Sequence, residues 1–206
     1  MAETVALIDY GAGNLHSVAN ALRAAGSAGV VVTADPAVVR HADRIVLPGV
    51  GAFRACIDAL RGVPGLVEAM TERVSLGAVP FLGICVGMQL LATRGIEFGV
   101  TPGLDWIGGE VRRIVPGEPA VKVPHMGWNA VAPRGTDTIV APGEAYFLHS
   151  YHFAPDDARD IAAMTDHGGA LVAAVQRNTV LGVQFHPEKS QHYGLDLLTR
   201  FLAWKP

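Results

Sequence analysis

Over the first 93 residues, short apolar runs alternate with segments whose apolar residues recur at helical spacing, and few folds accommodate this order. The predicted strands are residues 4–9, 29–33, 44–47 and 79–84. The predicted helices are residues 14–25, 53–60, 65–73 and 87–93. Strands that alternate with helices form βαβ units, whose parallel strands present active groups at their carboxyl ends.

The pattern changes after residue 105, where short β-rich runs are joined by Gly, Pro and Asn turns. Residues 176–179 are predicted to form a hairpin, and residues 193–204 the last helix. We therefore expect an α/β fold: an open, mostly parallel, twisted sheet flanked by helices, with an additional antiparallel strand region in the C-terminal half. No repeat or low-complexity linker divides the sequence, so residues 1–206 are expected to form a single domain.

Composition and charge disfavour nucleic acid and membranes as partners. Half of the residues are apolar and the net charge is −3, which gives no electrostatic reason to expect nucleic acid or an anionic membrane surface. The N-terminus lacks the basic region of a secretory signal, and two cysteines favour a reducing cytoplasm over a disulfide. Residues 74–93 carry no charge, but proline and glycines interrupt them, so a buried strand and helix are favoured over a membrane span.

The segment Gly83-Ile-Cys-Val-Gly87 has the G-x-nucleophile-x-G form of a nucleophile elbow, a sharp turn from strand to helix. Such a turn leaves no room for side chains on either flank, which explains the glycines. Cys85 would then lie at a helix N-terminus, where N–H groups and the helix dipole favour a negatively charged sulfur. The alternative is a buried structural cysteine beside packing glycines.

A thiolate needs a base, and Gln-Phe-His186-Pro-Glu188 offers one. Residues two apart on an extended segment face the same side, so Glu188 can orient the His186 ring and stabilise its protonated form. A surface His-Pro-Glu turn is the alternative. These residues and Cys85 are the predicted catalytic triad.

Acyl chemistry also needs N–H donors for an oxyanion, and two segments can supply them. One donor is the N–H of Val86, next to the nucleophile. The others lie in the glycine-containing loop that ends the third predicted strand, at Gly49, Val50 and Gly51. An ordinary strand-to-helix turn is the competing interpretation of this loop.

Three of these stretches together carry a family resemblance. PGVGAF at 48–53, GICVGMQLL at 83–91 and QFHPEKS at 184–190 resemble class I glutamine amidotransferases. PHMGWN at 124–129 resembles the branch of that family that forms the glutaminase subunit of imidazole glycerol phosphate synthases. DYGAGNLHS at 9–17 and FLHSY at 147–151 are similar to the same branch.

The resemblance implies that Cys85 attacks glutamine, that His186 protonates the departing ammonia, and that water hydrolyses the thioester. It implies that ammonia passes to a separate cyclase subunit with a (β/α)8 barrel, in a heterodimer, and that neither a metal nor an organic cofactor takes part. By the same resemblance, the residues that hold glutamine are Gln89, Glu97, Ser150 and Tyr151. Residues 92–99 depart from the acidic run usual in the family, so a surface glutamate remains the alternative for Glu97.

The resemblance also implies a surface that faces the cyclase. Its residues are Pro124, His125, Met126, Gly127, Trp128, Asn129 and Lys189. Tryptophan and methionine are common contact residues at interfaces, and His125 and Asn129 can hydrogen-bond across one. The alternatives are a strand core with Trp128 buried and a solvated Lys189. A peptide unit between glycines rotates at low cost. We therefore expect a backbone N–H of loop 48–51 to point at the oxyanion only when the partner binds its ligand.

Two further functions stay open at this point. One is another class I amidotransferase, such as the small subunit of anthranilate or aminodeoxychorismate synthase, against which PHMGWN argues. The other is a non-catalytic subunit that keeps the fold and docks a partner, against which the intact Cys85, His186 and Glu188 argue. A metal site at His149 and His152 is disfavoured, because no third ligand lies nearby in the sequence.

Overall fold

The computed structural model describes residues 3–76, 79–117 and 121–206, which form strands and helices in the predicted order. The strands are β1 (Thr4–Ile8), β2 (Gly29–Thr33), β3 (Arg44–Gly49), β4 (Phe81–Cys85), β5 (Arg94–Gly95), β6 (Thr101–Pro102), β7 (Gly109–Arg113), β8 (His125–Pro133), β9 (Gly143–His149), β10 (Tyr151–Pro155), β11 (Ile161–Asp166), β12 (Ala170–Arg177) and β13 (Val180–Val183). The helices are α1 (Leu15–Ala24), α2 (Pro36–Arg40), α3 (Phe53–Arg61), α4 (Leu66–Ser75), α5 (Val86–Gln89) and α6 (Gln191–Ala203).

A nine-stranded sheet has the order β2-β1-β3-β4-β13-β12-β11-β8-β9. The first five strands of that order run parallel to their neighbours, and the remaining ladders are antiparallel. This arrangement confirms the predicted α/β fold, with its antiparallel region in the C-terminal half, and the hairpin at residues 176–179 joins β12 to β13. A second sheet has the order β10-β7-β5-β6.

Apart from Arg44 at the start of β3, the central strands are apolar, because the sheet is covered on both faces there. Every residue of β3, β4 and β13 is buried. The edge strand β2 is partly exposed, and its Val31 and Val32 face solvent. The residues at the carboxyl ends of β3, β4 and β13 are therefore held by the most deeply buried part of the sheet.

One predicted helix is much shorter than expected. The sequence predicts a helix over 87–93, but α5 ends at Gln89. The carbonyl groups that a longer helix would use are bonded to a later segment instead. The N–H of Leu104 donates to the carbonyl of Leu90 at 2.8 Å, and the N–H of Trp106 donates to the carbonyl of Leu91 at 3.0 Å. These long-range bonds replace the helical ones, and apolar spacing alone could not reveal them.

Two further points concern the helices. The short α2 was not predicted; it begins after Asp35, whose carboxylate accepts a bond from the N–H of Ala37 at 2.8 Å. The longest helix, α6, has 13 residues, and no helix within the described residues is both long and apolar enough to cross a membrane. Residues 77–78 of the uncharged stretch lie outside the described part of the chain.

Candidate active site

Cys85 stands at a sharp turn between β4 and α5. Its backbone has φ 54° and ψ −110°, a conformation that residues with a Cβ rarely adopt. A Cβ on Gly83 would lie 2.6 Å from the carbonyl oxygen of Gly87, and a Cβ on Gly87 would overlap the carbonyl oxygen of Leu47. Both flanking glycines are therefore required by close approach of the backbone, as a nucleophile elbow demands.

The parallel pairing of β13 with β4 brings His186 to the elbow. Val183 pairs with Ile84, so the chain leaves β13 beside Cys85. The Nδ1 atom of His186 lies 2.8 Å from Oε1 of Glu188, and since a carboxylate can only accept, the ring donates this bond. Both side chains are buried, with exposed fractions of 4% and 2%. Residues 187–189 form one 3-10 turn, so the expected extended geometry does not continue past His186.

The surroundings of His186 favour its protonated form. Burial acts to lower the pKa of the imidazole, but hydrogen bonds and charge interactions with Cys85 and Glu188 outweigh it and raise the pKa from 6.5 to about 9. Because this pKa is raised in the folded state, the protonated ring stabilises the fold. That contribution is complete below about pH 6.5 and is lost as the pH rises through about 9. At neutral pH, a protonated ring thus stands beside the sulfur of Cys85.

A cavity of about 370 Å³ opens at this point, and Leu148 and His149 form part of its wall. The predicted site residues that line it are Val50, Gly51, Cys85, Val86, Gln89, Glu97, Pro124, Ser150, Tyr151, His186 and Lys189. Glu188 is not part of the wall but supports His186. The structure therefore gathers residues from distant stretches of the sequence around one space of the size of a small ligand.

The predicted oxyanion loop is held from both sides. Gly49 pairs with Cys85 across β3 and β4, which places the loop against the elbow. The Tyr10 hydroxyl donates to the carbonyl of Pro48 at 2.8 Å, and the Cys56 thiol donates to the carbonyl of Val50 at 3.2 Å. Cys56 is buried, as predicted, and burial is the main cause of its raised pKa. The two hydrogen bonds of Tyr10 and Cys56 to the loop were not predicted.

Comparison with known proteins decides the family. The model of the family described as "Glutamine amidotransferase class-I" matches residues 6–203. The chain belongs to the class I glutamine amidotransferase family. It is 58% identical to the imidazole glycerol phosphate synthase subunit HisH of Zymomonas mobilis, over 98% of this chain and 97% of that protein. It is 52% identical to the protein of the same name from Caulobacter vibrioides, over 99% of this chain and all of that protein.

Solved structures with lower identity share the fold of this amidotransferase. A crystal structure of a glutamine amidotransferase superposes with a TM-score of 0.74 at 19% identity, over 97% of this chain and 98% of that one. The crystal structure of a glutamine amidotransferase from Thermotoga maritima gives a TM-score of 0.62 at 18% identity, over 91% of this chain and 77% of that one. Both likenesses concern the α/β architecture alone.

Of the residues predicted to hold glutamine, Glu97 has the most informative contact. Its Oε2 atom accepts a bond from the N–H of Phe53 at 2.8 Å, at the first residue of α3. It is half-buried and lines the cavity, so it is not the solvated surface glutamate of the alternative. In this amidotransferase Glu97 therefore fixes the start of α3, just after the predicted oxyanion loop. Its contact with substrate stays a prediction.

The predicted partner surface is exposed where β8 pairs with β9. Met126 is 65% exposed, Trp128 48% and Leu148 38%. Met126 lies opposite Leu148 in the ladder, so these apolar side chains share one face of the sheet. Trp128 is thus not buried in a strand core. Lys189 is also exposed, and its Nζ lies 5.9 Å from the centroid of the Tyr146 ring.

The His125 ring does not lie on that surface, contrary to the expectation that it bonds across an interface. It is 3% exposed, and its Nδ1 atom lies 2.9 Å from Nε2 of His149. Burial is the main cause that lowers the pKa of His125 to about 4 and that of His149 to about 3. Asn129 is half-buried, and its side chain bonds to the His125 ring and to the carbonyl of Asp166 within this chain.

Sequence reasoning also missed Gln184. Its Nε2 atom lies 3.7 Å from the sulfur of Cys85, and its side chain is completely buried. The signal was present in the pattern: Gln184 precedes His186 by two residues on a segment predicted to be extended, and residues at that spacing face the same side. The amide was overlooked because it carries no charge and no acid–base chemistry.

Proposed function

We propose that this chain is the glutaminase subunit of an imidazole glycerol phosphate synthase, which supplies ammonia for a cyclase reaction in histidine biosynthesis. The observation that carries the proposal is the meeting of Cys85, His186 and Glu188 at one cavity, in a chain whose relatives bear that enzyme's name. The whole of residues 1–206 would act as one amidotransferase domain.

In the first half-reaction, the thiolate of Cys85 attacks the carbonyl carbon of the glutamine side-chain amide. The developing oxyanion would be met by the N–H of Val86 and by N–H groups of loop 49–51. The protonated His186 ring gives its proton to the departing nitrogen, so ammonia leaves and a glutamyl thioester forms on Cys85. Glu188 keeps the ring oriented and its positive charge stabilised until that transfer.

In the second half-reaction, the now neutral His186 ring takes a proton from water. The resulting hydroxide attacks the thioester carbonyl, the same N–H donors stabilise the second oxyanion, and the C–S bond breaks. Glutamate leaves, Cys85 returns as thiolate, and His186 is again protonated. The products of one turnover are thus one glutamate and one ammonia.

The ammonia would pass to a separate cyclase subunit with a (β/α)8 barrel, in a heterodimer located in the cytoplasm. The exposed apolar face of Met126, Trp128 and Leu148 supports the proposal that a partner docks there. Leu148 also lines the cavity, so this face is continuous with the site. A partner seated there would cover the cavity mouth and keep ammonia from bulk water.

The experiment is to measure glutamate release from glutamine by this chain alone, with the cyclase subunit, and with the cyclase and its ribonucleotide substrate. We expect release to rise sharply in the last mixture and to match the imidazole glycerol phosphate formed, one for one. The physical reason is the oxyanion loop, whose glycines allow a donor to be re-aimed at low cost when the partner is loaded.

A matched pair of variants tests whether the apolar face serves this activation. Trp128→Ala is expected to require a higher cyclase concentration for half-maximal glutamate release, since it removes an exposed aromatic side chain that docking would bury. Val32→Ala, at the exposed opposite edge of the sheet, should behave as the wild type. Equal glutamate release with and without the loaded cyclase would contradict the coupling, and no release in any mixture would contradict the proposed function.

A further inference from the structure

Two glutamine side chains form a buried hydrogen-bonded pair beside the nucleophile. Gln184 has no exposed surface, and Gln89 is 4% exposed. The Nε2 atom of Gln89 lies 2.9 Å from the carbonyl oxygen of Tyr151 and 3.0 Å from Oε1 of Gln184. The Nε2 atom of Gln184 lies 3.7 Å from the sulfur of Cys85, so the pair links a backbone carbonyl to the reacting atom.

The carbonyl of Tyr151 determines which way both amides point. A backbone carbonyl can only accept, so the nitrogen of Gln89, and not its oxygen, must face it. The second hydrogen of that nitrogen then donates to the oxygen of Gln184. The remaining end of the Gln184 amide is its nitrogen, which presents an N–H to Cys85. Reversing either amide would place two acceptors, or two donors, against each other in a buried site.

The backbone around Gln184 keeps this geometry fixed. The N–H of Gln184 donates to the carbonyl of Ala173 at 2.9 Å, which extends the pairing of β13 with β12 by one residue. Gln89 belongs to α5, directly after the elbow. The sulfur and its amide donor are therefore carried by adjacent elements in the centre of the sheet, and neither amide belongs to an exposed loop.

We propose that Gln184 is a hydrogen-bond donor to the thiolate of Cys85, and that Gln89 and the Tyr151 carbonyl orient it for that role. This inference rests on the proposed function and assigns a further residue to the same site. Cys85 has an exposed fraction of only 4%, and burial disfavours an anion unless donors replace the lost water. Unlike the His186 ring, the amide of Gln184 does not titrate, so its N–H remains a donor to the thiolate at every pH.

Besides His186, the sulfur has two polar neighbours that suit its two protonation states. A neutral thiol can donate to the carbonyl of Leu148, which lies 4.0 Å from the sulfur. A thiolate cannot donate, and it accepts from Gln184 instead. Hydrogen bonds to a charged partner are the stronger kind, so the donor selectively stabilises the reactive form of Cys85.

The test is the rate at which iodoacetamide alkylates Cys85 as a function of pH, followed by peptide mass analysis, with no glutamine present. Gln184→Met keeps length and volume but removes the donor. We expect alkylation at pH 7 to slow about tenfold and the midpoint of the rate–pH curve to rise by about one unit, as loss of one hydrogen bond to a charged group predicts. Gln184→Glu, which can still accept from Gln89 but presents an acceptor to the sulfur, should slow alkylation further.

The control is Gln176→Met, because Gln176 lies on the neighbouring strand β12 and bonds to the carbonyl of Asp137, away from the sulfur. In this variant, Cys85 should be alkylated at the wild-type rate, with the same dependence on pH. An unchanged profile in both Gln184 variants would overturn the inference, as would an equal slowing in Gln176→Met. Since alkylation requires no turnover, the expected shift in a chain whose complex never hydrolyses glutamine would uphold the donor role and contradict only the proposed function.

Discussion

Cys85→Ala is expected to lower glutamine hydrolysis by the complex on the order of 10⁴-fold or more, because no other group of the cavity can form the thioester. The substitution removes only the sulfur from a position whose backbone is fixed by β4 and the elbow. Glutamate release by the cyclase complex, measured with a coupled glutamate dehydrogenase assay, gives the direct readout.

The control for Cys85→Ala is the cyclase reaction supplied with ammonium salt in place of glutamine. We expect it to proceed as in the wild-type complex, since ammonia then reaches the cyclase without the glutaminase. Loss of both activities would show that Cys85 is needed for the fold or for docking. Retention of substantial glutamine hydrolysis would show that another group is the nucleophile.

Glu188→Gln is expected to shift the titration of His186 downward by at least about one pH unit, which is a tenfold change in proton affinity. Burial lowers the pKa of this ring, and the bonds to Cys85 and Glu188 raise it to about 9. The amide retains an acceptor for Nδ1 but carries no charge, so the balance moves back toward 6.5. The measurement is the NMR chemical shift of the His186 ring proton as a function of pH.

The same change should appear in the kinetics, because the protonated ring must deliver a proton to the departing amide nitrogen, which then leaves as ammonia. The alkaline limb of the glutaminase pH profile is expected near pH 9 in the wild type and at lower pH in Glu188→Gln. Glu144→Gln, an exposed carboxylate on β9, is the control and should leave the titration unchanged. A His186 midpoint that is the same in both variants would contradict the role of Glu188.

The parallel half of the fold could be predicted because each of its strands reads as a continuous apolar run. β2 was predicted with the same bounds as observed, and β1, β3 and β4 within a few residues. Where prediction failed, the deciding contact came from a distant part of the chain. The helix after the elbow stops because residues 104–107 bond to carbonyls at 90–92, and no local pattern encodes such a bond.

The site shows the same division between local signals and distant contacts. The sequence alone could predict the cysteine between two glycines and the His-Pro-Glu segment as site residues, since their chemistry depends on residue types at short spacing. The buried ring of His125 was assigned to the surface because the alternation along β8 does not show that His149 bonds to it from β9. Gln184 was missed because a neutral amide indicates a role in the site only once the structure shows that it lies beside the sulfur.

The central claim is that the Cys85 sulfur is a nucleophile aimed into a glutamine-binding cavity, and a glutamine-mimicking electrophile tests it most directly. The complex with the loaded cyclase is treated with 6-diazo-5-oxo-L-norleucine, and the modified peptide is identified by mass. We predict one label per chain on Cys85, slowed by glutamine, and none on the buried Cys56. Labelling of Cys56 instead, or a rate on Cys85 that glutamine does not change, would contradict the claim.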